Sequence, residues 1–325
     1  MKLQFVQLRI IDEAAVAALV DMDDVIAIIE AAFAADARGV HHAYPVVRER
    51  LPQPRTGIFG VKSGLAGDVL GLKAGGFFPA NRAIGKMPHQ STIVLFDPES
   101  GRSRAVIGGN LITGLRTGAA GAVAAKHLAR PDATRAAVIG CGAQGRMQAR
   151  ALARVRPLTA IAVWDVVNDG AVAFARDLSA ELGIPVTVAG SVEAAVADAD
   201  IVVTATPGAG PVLLAPWVRP GQHITAIGAD TAGKQELDPA ILGRARVFVD
   251  NRVQATTIGE CQFLPASASI IAEVGEVVGG IAQGRSSATD VTVFDATGVN
   301  FQDLVVAAAV LERAEAAGLG VVATL

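Results

Sequence analysis

The spacing of apolar positions changes character along the chain. Residues 14–20 and 24–35 place apolar side chains at helical intervals and are predicted as two helices behind a first strand over 3–8. From 44 to 109 the pattern breaks into short β-type runs, predicting strands at 46–47, 57–61, 69–74, 91–96 and 103–107. Asp97-Pro98-Glu99-Ser100-Gly101 has the composition of a hairpin turn between the last two. The N-terminal third is therefore expected to be α+β on a mixed or antiparallel sheet.

After residue 110 helices and strands alternate. Helices are predicted over 113–128, 144–154, 171–182, 192–197 and 239–242, and strands over 136–139, 160–164, 186–188, 201–204, 223–227, 246–249 and 291–294. Such repetition implies an α/β, doubly wound parallel sheet with helices on both faces. A last helix over 301–317, with no strand after it, is expected to leave that sheet and rejoin the first domain. The expected domains are 1–112, completed by 300–325, and 113–299, since one core rarely serves more than about 250–300 residues.

Composition narrows the class of protein. The 325 residues are 51% hydrophobic but only 4% aromatic, so the core is built from small aliphatic side chains and disorder is excluded. Apolar stretches such as 304–311 are cut by charge, Gly or Pro before the roughly 18 residues that a membrane span needs. A net charge of −3 without charge blocks gives no basic footprint for nucleic acid or a membrane surface, which leaves small molecules as expected partners. Two cysteines, Cys141 and Cys261, are too few for a disulfide framework, and the first six residues lack the apolar stretch of a signal peptide; both point to a cytoplasmic chain with reduced thiols. No metal is expected.

Gly140-Cys141-Gly142-Ala143-Gln144-Gly145 follows the strand over 136–139 and opens a helix, the context in which G-x-G-x-x-G marks a dinucleotide site of Rossmann type. Gly140 permits the turn, Gly142 lets a pyrophosphate approach, and the helix start offers unpaired N–H groups. Asp165 ends the next strand, where a carboxylate binds ribose hydroxyls and repels a 2′-phosphate. With no Arg or Lys among residues 166–169, NAD(H) is favoured over NADP(H). Thr204-Ala205-Thr206, Gly228-Ala229-Asp230 and Asp295-Ala296-Thr297-Gly298 end later strands, at the edge where open α/β sheets bind ligands.

Several cations interrupt apolar strands in the first domain: Arg48, Lys62 and Lys73, with His89-Gln90 before the strand at 91–96 and Arg116 near the entry to the second domain. Buried cations call for an anion, and planar arginine grips a carboxylate bidentately. Lysine is scarce here, at positions 2, 62, 73, 86, 126 and 234 alone, which singles out Lys62 and Lys73.

Six segments in order, Leu72-Lys73, His89-Gln90-Ser91-Thr92, Leu115-Arg116-Thr117, the strand and glycine turn through Gln144, Gly228 through Asp238, and Phe294 through Gly298, resemble the ornithine cyclodeaminase/mu-crystallin family nearly end to end. The likeness is strongest to its iminosuccinate reductases and archaeal-type alanine dehydrogenases. The resemblance implies a Rossmann domain over 113–299, a substrate-binding and dimerisation domain from the rest, a homodimer, and hydride chemistry at an amino-acid Cα–N bond. It assigns Arg48, Lys73 and Arg116 to the substrate α-carboxylate and Asp230 to the substrate nitrogen, with Lys73 also able to move a proton. For the cofactor it implies Thr117, Gly140, Gly142, Ala143, Gln144, Asp165, Thr204, Ala205, Thr206, Gly228, Asp230, Thr297 and Gly298.

The departures are informative. Gly60 falls where cyclodeaminases carry the acid that holds the distal amine, and Lys62 where they have an apolar residue. Losing an anion and gaining a cation reverses the charge preferred at the distal end. The expected activity is reduction of a 2-imino acid with an anionic tail, iminosuccinate to aspartate, with Lys62 and His89 at that end and Gln90 also among the substrate-binding residues. Alanine dehydrogenase, another ketimine reductase, a cyclodeaminase and a non-catalytic small-molecule binder are the alternatives.

Overall fold

The computed structural model describes residues 7–325, so positions 3–6 of the first predicted strand lie outside the described residues. The elements run β1 (Gln7–Ile11), α1 (Glu13–Leu19), α2 (Met22–Asp36), β2 (His41–Ala43), β3 (Val47–Arg50), β4 (Ile58–Ala66), β5 (Val69–Phe77), β6 (His89–Phe96), β7 (Ser103–Gly108) and α3 (Asn110–Leu128). Then follow β8 (Arg135–Ile139), α4 (Ala143–Val155), β9 (Ala160–Trp164), α5 (Asn168–Leu182), β10 (Val186–Val188), α6 (Val192–Val196), β11 (Ile201–Thr204), β12 (Ala209–Leu213) and β13 (His223–Ala226). The last are β14 (Gln235–Leu237), α7 (Pro239–Arg244), β15 (Arg246–Val249), α8 (Arg252–Ile258), β16 (Ile270–Glu273), α9 (Val274–Val278), β17 (Thr292–Asp295), α10 (Asn300–Ala317) and β18 (Val321–Thr324). They form two compact units, Met1–Arg116 with Val299–Leu325, and Thr117–Gly298.

The first unit is a mixed sheet in the order β18-β1-β7-β6-β5-β4-β2, with β3 also paired to β4. β1 and β7 run parallel and the other pairs antiparallel. The final strand corrects the expectation that nothing follows the last helix. Gly318, at φ 65°, ends α10 in the left-handed conformation, and the β-branched run after it pairs antiparallel with β1. The short elements β2, β12, β14, β16, α8 and α9 were also absent from the predicted pattern, being too brief to show a period.

α10 lies on one face of this sheet where the strands carry no side chains. A Cβ at Gly64 would come within 2.1 Å of Asn300 Nδ2, and one at Gly71 within 2.7 Å of Leu304 Cδ2 and 2.8 Å of the Val94 carbonyl. Phe301, Leu304, Ala307, Val310 and Leu311 are buried, and Phe301 meets Phe33 of α2 edge to face at 5.7 Å. The two glycines thus set how closely helix and sheet approach.

The second unit is an all-parallel sheet in the order β10-β9-β8-β11-β13-β17-β15-β16, with a small β12/β14 pair beside it. Strands β11, β13 and β17 are buried along their whole length; β11 is apolar up to Thr204, while polar members of β13 and β17 bond one another, His223 with Thr292 at 2.9 Å and with Thr225 at 3.1 Å. Strand order reverses between β8 and β11, opening the crevice where α/β sheets take ligands. Among the described residues no helix is long and apolar enough to cross a membrane.

Gly71→Ala should destabilise the chain by about 1–3 kcal/mol through overpacking against Leu304 and the Val94 carbonyl. Urea denaturation of the two proteins measures this, and an unchanged midpoint would show that α10 does not depend on close approach here.

Candidate active site

Register brings the predicted cations together. Arg48 pairs with Gly60, Gly60 with Gly75, Lys62 with Lys73, Gly75 with Ser91 and Phe77 with His89. Because side chains alternate along a strand, Arg48, Lys62, Lys73, Ser91 and His89 all share one face of the first sheet, around the bare positions Gly60 and Gly75. It is the face that α10 covers. Gln90 alternates to the other face and is not brought together with them; its amide donates to the Met87 carbonyl at 2.9 Å and accepts from Asn110 at 3.4 Å.

Arg116 joins this group from α3. That helix begins at a fixed place because the Glu13 carboxylate accepts the Asn110 and Leu111 N–H groups at 2.8 and 3.0 Å, while the Asn110 side chain accepts the Ser91 N–H at 2.8 Å. Thr113 and Arg116, one turn apart, then reach the same spot. Lys73 Nζ donates to Thr113 Oγ1 at 3.3 Å and to Asp303 Oδ1 at 2.8 Å, with Oδ2 at 2.7 Å. Arg116 donates from Nε to Asp303 at 3.1 Å and from Nη1 to Gln302 at 2.9 Å. Lys73, Arg116 and Asp303 are all buried.

The charges are strongly coupled. Burial pushes the Lys73 ammonium down to about 7, Asp303 opposing this and Arg116 and Lys62 adding to it. Burial works against the charge of Asp303, but Arg116 and Lys73 outweigh it and hold the carboxyl below its ordinary range. Burial, then Lys73 and Arg116, push His89 down to about 4. His89 is therefore a neutral imidazole at pH 7 and offers a hydrogen bond, not a cation.

The second unit carries the glycine turn. Gly140, at φ 106°, follows β8, and a Cβ there would meet the Ala205 carbonyl at 2.6 Å; one on Gly145 would meet the Gly140 carbonyl at 2.0 Å. Gly142 differs, since a Cβ would have nothing within 4 Å. The first and third glycines serve packing, and the second leaves open space at the start of α4, which has no side-chain cap on its N–H groups. Ala143 and Gln144 begin that helix, and Gln144 Oε1 is buried without a protein partner. Asp165 stands beside the turn, accepting the Cys141 and Val167 N–H groups at 2.8 and 2.9 Å. Open space, uncapped donors, an orphaned amide oxygen and an adjacent carboxylate together fit a dinucleotide. Thr117 is buried on α3, its carbonyl accepting from Gln148 at 2.7 Å.

The other strand ends are tied by carboxylates that sequence reasoning did not single out. Glu236 is fully buried and accepts from Thr204 Oγ1 at 2.8 Å, from Thr206 N–H and Oγ1 at 2.6 and 2.8 Å, and from Gly228 N–H at 2.7 Å. It clamps the ends of β11 and β13 with Ala205 between its two threonines, and it leaves the Thr204 hydroxyl buried and spent. Asp250 accepts Thr297 Oγ1 at 2.8 Å and Gly298 N–H at 2.5 Å. Glu260 accepts the Glu236 and Leu237 N–H groups at 2.7 and 3.1 Å. Asp230, half-buried after β13, is held by Lys234 Nζ at 2.8 Å. The rarity of lysine was the one signal that could have found Lys234. Among the described residues no group of three or more His, Cys, Asp or Glu could hold a metal. Cys141 and Cys261 are free, with burial and then Asp165 pushing the Cys141 thiol up to about 12.

Burial pushes Glu260 up to about 8 and Asp295 up to about 7, against ordinary values of 4.5 and 3.8. The folded chain keeps protons that the unfolded chain releases near pH 4, so these groups lower stability progressively from about pH 4 to 8. Glu260→Gln removes the titrating group but turns an NH2 toward one of the two backbone N–H donors, so it should be less stable than the unaltered protein at pH 5, with the deficit shrinking as the pH rises to 8.5; denaturation curves at both pH values decide, and a constant difference would contradict the assignment.

The model of the ornithine cyclodeaminase/mu-crystallin family matches residues 8–318. An iminosuccinate reductase from Paracoccus denitrificans is 42% identical over 316 residues, 95% of this chain and 98% of its own length. The crystal structure of that Paracoccus enzyme in complex with NAD+ superposes with a TM-score of 0.89 at 40% identity, covering 98% and 99% of the two chains. An archaeal alanine dehydrogenase dimer with bound NAD gives 0.92 at 35% identity, again covering 98% and 99%. With its glycine turn, its sheet and the match along nearly all of its length, the chain belongs to the ornithine cyclodeaminase/mu-crystallin family.

Proposed function

We propose that the chain is an NAD(H)-dependent oxidoreductase that reduces the C=N bond of a 2-imino acid, with iminosuccinate to L-aspartate as its reaction. The observation that carries the substrate choice is the direct pairing of Lys62 with Lys73 across β4 and β5, on the face that also holds Arg48. Two carboxylates on one small molecule suit such a set. Arg48, Lys73 and Arg116 hold the α-carboxylate, and Lys62 holds the distal one with a hydrogen bond from neutral His89. NADH, when bound, supplies the hydride that reduces the C=N carbon. Gly142, Ala143 and Gln144 hold its pyrophosphate at the start of α4, and Asp165 its ribose. Thr206, Gly228, Thr297 and Gly298 shape the turns on the same sheet edge.

Asp230 stabilises the iminium electrostatically, which matters because a cationic C=N accepts hydride more readily than a neutral one. Lys234 fixes the direction of that carboxylate. Lys73, poised near pH 7, can return a proton to the substrate without a large change in driving force. A second reading, alanine dehydrogenase, is favoured by the likeness to the archaeal enzyme and would give the substrate no second carboxylate for Lys62 to hold. A cyclodeaminase is disfavoured at Gly60: a Cβ there would lie 2.4 Å from the Val47 carbonyl, so the position has no room for an acid. In solution a homodimer is the expected state, and exposed Tyr44, Val47 and Phe59 of the first unit suit a second copy of the chain.

NADH oxidation should be faster with oxaloacetate plus ammonia than with pyruvate plus ammonia; the reverse order selects alanine dehydrogenase, and NADH binding without turnover of any imino acid selects a binding protein. Lys62→Met should lower kcat/KM for the dicarboxylic substrate about 10- to 100-fold, the value of a charge-assisted hydrogen bond, while changing the monocarboxylic one little. Gly142→Ala should leave stability unchanged, given φ −83° and open space, yet weaken NADH binding at least about tenfold by crowding the pyrophosphate. Fluorescence titration with NADH reads this, and unaltered affinity would move the pyrophosphate elsewhere.

A further inference from the structure

We infer that Asp303 of α10 is a positioning residue of the substrate site: it aims the Lys73 ammonium and the Arg116 guanidinium at the substrate carboxylate and keeps Lys73 protonated. The inference rests on the reductase reading for the identity of the substrate, but its geometry is independent of it. An ammonium has three N–H donors; Asp303 and Thr113 take two from Lys73 and so fix where the third points. Asp303 takes the Nε–H of Arg116 and Gln302 an Nη1 N–H, which together fix the plane of the guanidinium. Asp303 is 1% exposed and sits 230 and 187 residues away from the two cations it joins. Helix α10 is held against the strand that carries Lys73 by the missing side chains of Gly64 and Gly71, so the carboxylate has a defined position.

The charged and titratable groups on that face are Arg48 on β3, Lys62 on β4, Lys73 on β5, His89 on β6, Arg116 on α3 and Asp303 on α10. Burial, Arg116 and Lys62 all favour a neutral Lys73, and Asp303 opposes them. Removing its charge should therefore release the lysine proton below neutrality.

The chain has six lysines, so [ε-13C]lysine labelling gives few signals, and Lys73→Arg identifies the relevant one. In Asp303→Asn the Lys73 midpoint should fall by at least about one unit. KM for the imino acid should rise about 10- to 100-fold, most at neutral pH, with kcat lowered there as Lys73 loses the proton it would transfer and NADH affinity far less affected. An unmoved Lys73 midpoint, or an unchanged KM, overturns the inference. So does a loss of NADH affinity that matches the rise in KM, because a purely structural defect would spread in that way. If Asp303→Asn does not fold, Asp303→Glu keeps the charge and displaces it by one methylene; a wild-type KM in that variant also overturns the inference. The titration needs no substrate, so a shifted lysine alongside no turnover of any imino acid defeats the reductase reading and leaves the role of Asp303 standing.

Discussion

The organisation of the first unit follows from one electrostatic constraint: Lys73 and Arg116 are taken out of water beside one another. Charge in a low-dielectric interior costs several kcal/mol per ion unless it is paired and hydrogen-bonded, and removing one member of such a set costs roughly 3–5 kcal/mol. Asp303 meets the requirement only if a helix from the far end of the chain lies tightly on the sheet. The sheet makes room by carrying glycine at 64 and 71. Backbone economy, helix placement and cation burial are thus parts of one solution, and the C-terminal segment is as much part of the site as the strands that carry the cations.

The second unit solves a similar problem with the opposite sign. Carboxylates, chiefly Glu236, Asp250 and Glu260, are buried beneath the strand ends, and backbone N–H groups and hydroxyls surround them. A carboxylate can accept several bonds at once, so each can tie two or three turns that have no regular ladder to hold them. This stiffens the edge at which a dinucleotide is read without placing a positive side chain there. The weakened acidity of Glu260 and Asp295 is the cost of that arrangement, since the bonds only partly offset burial.

The sequence made local features plain and distant ones obscure. The glycine turn was legible because strand, turn and helix are contiguous, and the alternation after residue 110 because most of the buried parallel strands are largely apolar. Lys62 and Lys73 stood out through rarity. Asp303 did not, because an acid in the first turn of a helix ordinarily reads as a favourable helix-dipole contact facing water. Glu236 and Asp250 were missed for a related reason: their partners lie 8 to 48 residues away, across crossovers that no period reveals. The protonation of His89 was likewise invisible, because it depends first on burial and then on Lys73 and Arg116, which only the fold brings near.

Specificity in such a site is a matter of register. Lys62 shares a face with Lys73 because the two are paired; a slip of one residue between β4 and β5 would turn it to the other face and put Val61 or Ser63 in its place. That register is fixed from two sides, by the ladder to β6 and by α10 seated in the gap left by Gly64 and Gly71. A change of substrate therefore does not require a new scaffold. On the proposed reading, one strand position sets whether the distal end attracts an anion or a cation, and the glycine at 60, closed in by the Val47 carbonyl, leaves no room for an acid there. On that reading, the distal charge can vary while Lys73 and Arg116, aimed by Asp303, keep hold of the carboxylate that every 2-imino acid shares.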